Sequence, residues 1–322
     1  MSDASLRTAS RRGRTLKLYL VDGSPSGVIT AELGISSVRA AVASRTALPE
    51  LIRREEAART GIYLLVGSDP DFPGRQLVYV GEGDQVKTRL AAHDADESKE
   101  FFTRAVLIVS KDENLTKAHG RYLESRIIAA IRGAGRAKLV NGTEPPFKGL
   151  PEPEIADMER VLDEIEILLP VLGFDVLRPA GHDAVGPSRN GNSAPNTVSA
   201  SEGGESAPTF VFTEAGTKAR AREAGDEFVV LAGSLAKAQE VPSCDDGLKR
   251  RRAQLVSEGK LVQTEDPKFL RFSADTAFDT PSGAARVIYG GNVSGPRYWR
   301  DEATGRTYGD WRKSKIAEGG DA

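Results

Sequence analysis

The stretch PAGHDAVGPSRNGNSAPNTVSASEGGESAPT, Pro179 to Thr209, limits what this chain can fold into more than any other feature. It is rich in Gly, Ser, Pro, Asn and Ala and nearly free of large apolar residues. Such a segment cannot bury enough surface to offset the entropy of ordering it, so it reads as a flexible linker. The 322 residues then divide into two units of ordinary domain size. The boundaries are a disordered basic arm at 1–14, a first domain at 15–178, the linker at 179–209, a second domain at 210–315 and a disordered tail at 316–322.

With 39% hydrophobic and 28% charged residues, the composition is that of a soluble globular protein. The formal net charge of −2 gives no global field for a polyanion, so any such site must be a local patch. A single cysteine, Cys244, excludes an internal disulfide framework and a Cys-rich zinc site. His93, His119 and His182 are too scattered for a histidine metal cluster. The segment MSDASLRTASRRGRTLKLYL lacks an apolar signal core before Leu16. The most apolar run, IEILLPVLGF, is broken by Glu166 and Pro170 and is too short to span a bilayer. A cytoplasmic location without a membrane partner is the expectation.

In the first domain, TLKLYLVDG and GVITAEL predict a strand pair. LPELIRREEAART has apolar residues at helical spacing. TGIYLLVGS and RQLVYVG predict an antiparallel hairpin with the long tip SDPDFPG, and FFTRAVLIVS predicts a third strand. Asp84 to Ala92 reads as a short helix. KDENLTKAHGRYLESRIIAAIRGAG reads as a long helix capped by Asp112 or Asn114 and ended by Gly133 or Gly135. The acidic helix EIADMERVLDEIEILLPVL is expected to present a solvated face and close the domain. In the second domain, KRRRAQLVSEGKL predicts a helix ending at Gly259, followed by short strands and turns around one small helix, SGAARVI. The fold class expected is α+β: a small mixed or antiparallel sheet flanked by helices, the linker, then a small α+β domain.

The stretch VYVGEGDQVKTRLAAH, Val78 to His93, has a glycine turn between strand and helix, where nucleotide-binding folds cradle phosphate. The dinucleotide fingerprint needs a third glycine, where this chain has Val86, and an acidic residue closing the next strand, which FFTRAVLIVS lacks. A different set fits better. Gly61-Ile62-Tyr63 lies on one strand and Tyr79-Val80-Gly81 on the next, followed by Arg89, His93, Glu124 within a helix, and Asn141. This ordered set, from Gly61 to Asn141, resembles the GIY-YIG nuclease superfamily, with Tyr-Val-Gly as a variant of the second signature. The flanking TLKLYLVDGSPSGVITAEL and SKDENLTKAHGRYLESRII resemble a bacterial subgroup of it. That subgroup carries a C-terminal domain of unknown function, which FDTPSGAARVIYGGNVSGPRYWRD resembles. Related domains accompany restriction and modification enzymes, so phage defence is implied.

The resemblance implies metal-dependent hydrolysis of DNA phosphodiester bonds. Glu124 is the matched ligand for Mg2+ or Mn2+, which can acidify bound water and polarise phosphate. Arg89 is the matched phosphate clamp, its guanidinium able to donate two parallel bonds. Tyr63 is the matched general base, with Tyr79 beside it. A free phenol, with a pKa of about 10, is a poor base unless Arg89 and the metal favour phenolate. Otherwise the tyrosines orient water, or simply pack in the core. His93 either contacts phosphate and serves the leaving group or is a helix-end histidine favoured by the dipole. Lys117, Arg121 and Glu124 share one helix face, so the two cations either hold substrate phosphate or form surface ion pairs. Asn141 is placed with the substrate-binding residues, its expected work being to hold loop geometry.

In the second domain, Arg297, Tyr298, Trp299, Arg300, Trp311 and Arg312 interleave aromatics with arginines. They either stack on bases or form the domain's core. Lys249 to Arg252 is a phosphate patch or a solvated helix face. The function expected is a DNA endonuclease with a flexibly tethered recognition domain, whose partners are DNA and a second copy or a defence-system protein. The alternatives are a non-catalytic DNA-binding or sensor protein, an RNA nuclease, and a structure-specific repair nuclease.

Overall fold

The computed structural model describes residues 13–69, 75–142, 149–178, 208–225 and 227–320. The expected basic arm lies almost entirely outside them, as do most of the linker and the hairpin tip. The chain is α+β in both halves. The first half runs β1 (Leu16–Leu20), β2 (Ile29–Leu33), β3 (Val38–Ser44), α1 (Leu48–Arg53), β4 (Gly61–Ser68), β5 (Gln76–Gly83), α2 (Val86–Asp94), β6 (Arg104–Ser110), α3 (Lys117–Ala134), β7 (Ala137–Leu139) and α4 (Glu152–Val171). Its strands form one seven-stranded sheet in the order β1-β2-β3-β6-β4-β5-β7. All neighbours are antiparallel except β5 and β7.

Period-two alternation sends side chains to opposite faces. Ile62, Leu64, Val66, Val78 and Val80 face α3 and α4, packing with Leu123, Ile127, Ile165 and Leu168. Tyr63, Leu65, Leu107 and Val109 face the other way, packing with Leu48, Leu51, Val86 and Leu90 of α1 and α2. The acidic α4 is therefore only half solvated, since Met158, Leu162, Ile165, Leu168 and Leu169 are buried.

Three local expectations are corrected. The helix predicted from Leu48 breaks after Arg53, where Arg54 turns extended (ψ 149°), and only a 3-10 turn, Glu55–Ala58, follows. The long helix starts at Lys117 rather than near Asp112, because Thr116 caps it. The Thr116 hydroxyl accepts from His119 N at 3.3 Å, and His119 Nδ1 accepts from Thr116 N at 3.2 Å. Its predicted end holds, with Gly135 left-handed at φ 67°. β3 went unpredicted because its Ala-rich sequence VRAAVAS has weak strand propensity. Pairing with β6 along its whole length supplies what propensity does not.

The second half contains β8 (Thr209–Phe212), β9 (Ala219–Ala224), β10 (Glu227–Val230), β11 (Leu235–Lys237), α5 (Asp246–Ser257), β12 (Leu261–Gln263), β13 (Phe269–Phe272), β14 (Thr276–Phe278), α6 (Pro281–Tyr289), α7 (Gly295–Tyr298), β15 (Arg300–Asp301) and α8 (Tyr308–Gly320). A five-stranded sheet in the order β14-β10-β9-β8-β15 and a three-stranded sheet in the order β11-β13-β12 surround an aromatic core. Trp299 is fully buried among Phe212 and Phe228, and its indole Nε1 donates to Pro281 O at 3.0 Å. Trp299 is thus core rather than a base-stacking platform. Arg252 is also buried, donating to the carbonyls of Val287, Lys237 and Ala238, so the KRRR run is not a uniform phosphate patch. The stretch after Gly309, expected to be turns and a disordered tail from 316, forms α8.

Candidate active site

The strand register places the two tyrosines. Tyr63 on β4 lies opposite Gly81 on β5, and Tyr79 lies opposite Leu65, one pleat further along the same face. Gly81 has no side chain, so the Tyr63 ring lies across β5 at that point. A Cβ at position 81 would overlap the Tyr63 hydroxyl and ring, including Cε1 at 2.9 Å. β7 covers β5 only over Gln76–Val78. Past that point Asn141 stands in for a strand: Oδ1 accepts from Val80 N at 3.0 Å and Nδ2 donates to Val80 O at 2.7 Å. The amide of Asn141 is thus committed to the strand, which makes it a support rather than a substrate contact.

α2 brings the next groups. Val86 and Leu90 bury its inner face, which leaves Arg89 exposed, with its Cγ stem against Gly83. His93, one turn on, meets the Tyr63 hydroxyl, with Oη and Nε2 2.8 Å apart. The three rings form a cluster, with centroids 6.2 Å apart for Tyr63–Tyr79, 5.5 Å for Tyr63–His93 and 4.9 Å for Tyr79–His93. Lys99, in the loop after α2, lies 4.6 Å above the Tyr79 ring.

Glu124 arrives from the other face of the sheet, on α3. Gly120, one turn before it, lies against Glu82, whose Cβ would sit 3.4 Å from a side chain at that glycine. Glu124 is only 9% exposed and has no hydrogen-bond or ion-pair partner among the described residues. Glu82 is its electrostatic neighbour, and Glu82 Oε2 is buried without a hydrogen-bond partner. Two carboxylates, one with an orphaned buried oxygen, make an electronegative recess beside Arg89. Arg121 reaches only the rim, 3.8 Å from Glu82 Oε1, and Lys117 pairs with Asp84 at 2.8 Å. Both remain exposed at the edge of the recess.

The electrostatics tie these groups together. Burial first, then Glu82, pushes the Glu124 carboxyl up to about 7 against the opposing pull of Arg89 and Arg121. Burial first, then Lys99 and Arg89, holds His93 down at about 4, so it is neutral at pH 7. Burial raises the Tyr63 phenol well above its ordinary value, with Tyr79 adding and Arg89 opposing. The expectation that Arg89 would favour Tyr63 phenolate is therefore outweighed by burial. Tyr63 acts here as a neutral phenol hydrogen-bonded to a neutral imidazole. Arg89 perturbs Tyr63, His93 and Glu124 alike, and no ion pair occupies its guanidinium among the described residues.

The raised Glu124 pKa has a consequence for stability. Its folded value lies above the ordinary 4.5, so the fold favours the protonated form. The stability this contributes is full below about 4.5 and is lost as pH rises through about 7. Glu124→Gln removes that loss. In metal-free buffer, its unfolding free energy relative to wild type is expected to rise by up to about 3 kcal/mol from about pH 5 to about pH 8. Urea melts at a series of pH values measure this, and parallel curves for the two proteins would contradict it.

Tyr63, Tyr79, Arg89, His93 and Glu124 thus come together, with Lys117 and Arg121 at the rim and Asn141 behind β5. Sequence reasoning missed Glu82 and Lys99. GEG was expected as a glycine turn, but β5 runs through Gly83 and pairs Glu82 with Ile62, so Glu82 is a strand residue whose proximity to α3 leaves no local signal. Lys99 is one of several charges in a loop. No set of three or more His, Cys, Asp or Glu side chains placed to hold a metal occurs among the described residues. No helix among them is long and apolar enough to cross a membrane. Residues 210–312 match the family Domain of unknown function (DUF4357). No curated protein and no solved structure matches the chain.

Proposed function

We propose that the chain is a metal-dependent endonuclease of the GIY-YIG type that hydrolyses DNA phosphodiester bonds. The observation carrying this reading is the Arg89 guanidinium set among Tyr63, His93 and the buried Glu124, with neither Arg89 nor Glu124 partnered among the described residues. A cation beside a buried carboxylate suits a phosphate on one side and a divalent ion on the other. The donor set fits such an ion. The two carboxylates would supply oxygens, with the remaining ligands coming from water and phosphate, as Mg2+ prefers. When bound, the ion supplies Lewis acidity and an acidified water.

The chain's own groups do the rest. Arg89 holds the scissile phosphate and offsets the charge that builds on its oxygens. Glu124, with Glu82 beside it, supplies the negative recess; burial and Glu82 raise its carboxyl to about 7 in the metal-free protein, and a bound cation would favour the ionised form. Tyr63 and neutral His93 form a hydrogen-bonded pair that orients a water or passes its proton, since neither is charged at pH 7. Arg121 and Lys117 line the path of the backbone at the rim. A role in phage defence would follow from the company that the C-terminal domain keeps in the resemblance.

The test uses purified full-length protein with supercoiled plasmid, phage DNA and a matched RNA, with Mg2+, with Mn2+ and with chelator. Nicked or linear DNA is expected only with metal, and Arg89→Ala is expected to lose the cleavage. Salt-dependent DNA binding with no cleavage under any metal would instead favour a non-catalytic reader of DNA. Cleavage of RNA alone would move the assignment to an RNA nuclease.

A further inference from the structure

The segment that carries Arg89 and His93 is held from outside its own domain. Asp94, the last residue of α2, is 7% exposed and lies directly after His93. Arg312 of α8 grips it with two bonds, Nη2 to Oδ1 at 3.1 Å and Nε to Oδ2 at 3.3 Å. Arg312 Nη2 also donates to Arg45 O at 2.8 Å. From the other side Arg45 donates to Asp94 Oδ1 at 2.9 Å, to Asp94 O at 3.0 Å and to Glu100 O at 3.0 Å. Burial alone would raise the Asp94 carboxyl, but Arg312 and then Arg45 outweigh it and keep it ionised. Arg312 is itself anchored in the C-terminal half beside Glu223, whose carboxylate accepts from the Tyr308 hydroxyl.

Two further contacts hold the loop after α2. The Glu100 carboxylate accepts from Ser282 N at 2.6 Å and from the Ser282 hydroxyl. Glu97 accepts from Arg297 Nε at 2.6 Å and from Ser294 Oγ at 3.2 Å. Meanwhile α8 serves both halves. Tyr308 and Trp311 pack into the C-terminal core, and Ile316 packs against the face of the sheet that carries Tyr63. A domain that only tethered a recognition surface would not need a buried two-pronged ion pair at the end of a site helix.

We propose that the C-terminal domain is a positioning element of the candidate site, with Arg312 and Asp94 as the joint through which it holds α2 and places Arg89 and His93 beside Tyr63. This role does not depend on which reaction the site performs, and its readouts do not use cleavage. Released from Arg312, the Asp94 carboxylate would keep only Arg45 as an ionic partner among the described residues. His93 would then leave the surroundings now set by Tyr63 and Tyr79 from the sheet, Arg89 from its own helix, and Asp96 and Lys99 from the loop that follows.

The experiment compares full-length wild type with Arg312→Met by amide hydrogen exchange and histidine-selective NMR. Residues 86–100 are expected to exchange about tenfold faster in the variant, with β4 and α3 unchanged. The His93 resonance should move toward that of a free histidine. His119, bonded to Glu154 at 2.9 Å, should not move. Arg312→Lys, which keeps the charge but loses the fork, should fall between the two. Because removing a buried guanidinium can prevent folding, Ser282→Ala with Arg297→Glu provides a second arm that cuts only the loop contacts. It should loosen the same segment by a smaller factor and shift His93 in the same direction. A folded Arg312→Met protein with unchanged exchange and an unchanged His93 signal would overturn the proposal. So would loosening that spreads evenly over the whole first domain, because that would be a loss of stability rather than of position.

Discussion

Glu124→Gln is expected to lower metal-dependent cleavage by about three orders of magnitude, which is about 4 kcal/mol of transition-state stabilisation. The amide keeps the shape of the side chain and, at neutral pH, avoids the cost of a buried charge. What it removes is the anionic oxygen that a divalent ion needs. Under the proposed function Arg89 would still hold the phosphate, so DNA affinity should stay within a few-fold of wild type. Glu82→Gln should cost less, because one Glu82 oxygen already faces Arg121 at 3.8 Å and only the other is left for an ion. Single-turnover cleavage across a Mn2+ series, alongside DNA binding in chelator, separates the two effects. A loss smaller than tenfold for Glu124→Gln would remove the metal-ligand role. Equal losses of binding and cleavage would make Glu124 a structural residue of the recess instead.

The second large effect is expected from one added methyl group. Gly81→Ala places a Cβ inside the Tyr63 hydroxyl and ring. Tyr63 is fully buried and bonded to His93, so it cannot swing aside without leaving that partner. Overpacking of this kind costs about 2 kcal/mol, a fall of roughly 5 °C in Tm. Gly133→Ala, in the last turn of α3, is the contrast. Apart from its chain neighbours and its own helix backbone, nothing lies within 4 Å of a Cβ built there. It should be neutral or raise stability by about 0.5 kcal/mol, as alanine does over glycine in a helix. A thermal melt reads both, and the displaced ring should also shift the His93 signal in Gly81→Ala. Pairing Gly81→Ala with Tyr63→Ala should recover most of the added cost. If it does not, the strain at position 81 has another source.

The readings that came easily from the sequence were local ones. β4, β5 and β6 announced themselves as apolar runs bounded by turns, and α3 as a long stripe with a glycine at its end. The choice of Tyr63, Tyr79, Arg89, His93 and Glu124 came from a motif whose members follow one another in a set order along the chain. Motif order survives in sequence even when the contacts are remote. Glu82 and Lys99 carry no such order. Their importance comes from neighbours met only after folding: Glu124 for Glu82 and the Tyr79 ring for Lys99. The Ala-rich β3 and the charged α8 were missed for a related reason. Each is made by its partner rather than by its own propensity: β3 by its pairing with β6, and α8 by lying between two cores.

The sequence by itself determined the α+β class and the residue types from which the proposed site is built. Period, turn chemistry and composition act over short stretches of chain, so they can be read without a structure. The tertiary structure alone decided which charges are naked and which are paired. It left Arg89 without an ion pair among the described residues, buried Glu124, Trp299, Arg252 and Arg312, and raised Tyr63 where the opposite shift was expected. It also joined the second half to the end of α2 through Asp94. The reason is physical: burial and Coulomb interactions depend on distance through space, and that distance exists only once β5 has been laid between two helices from opposite faces.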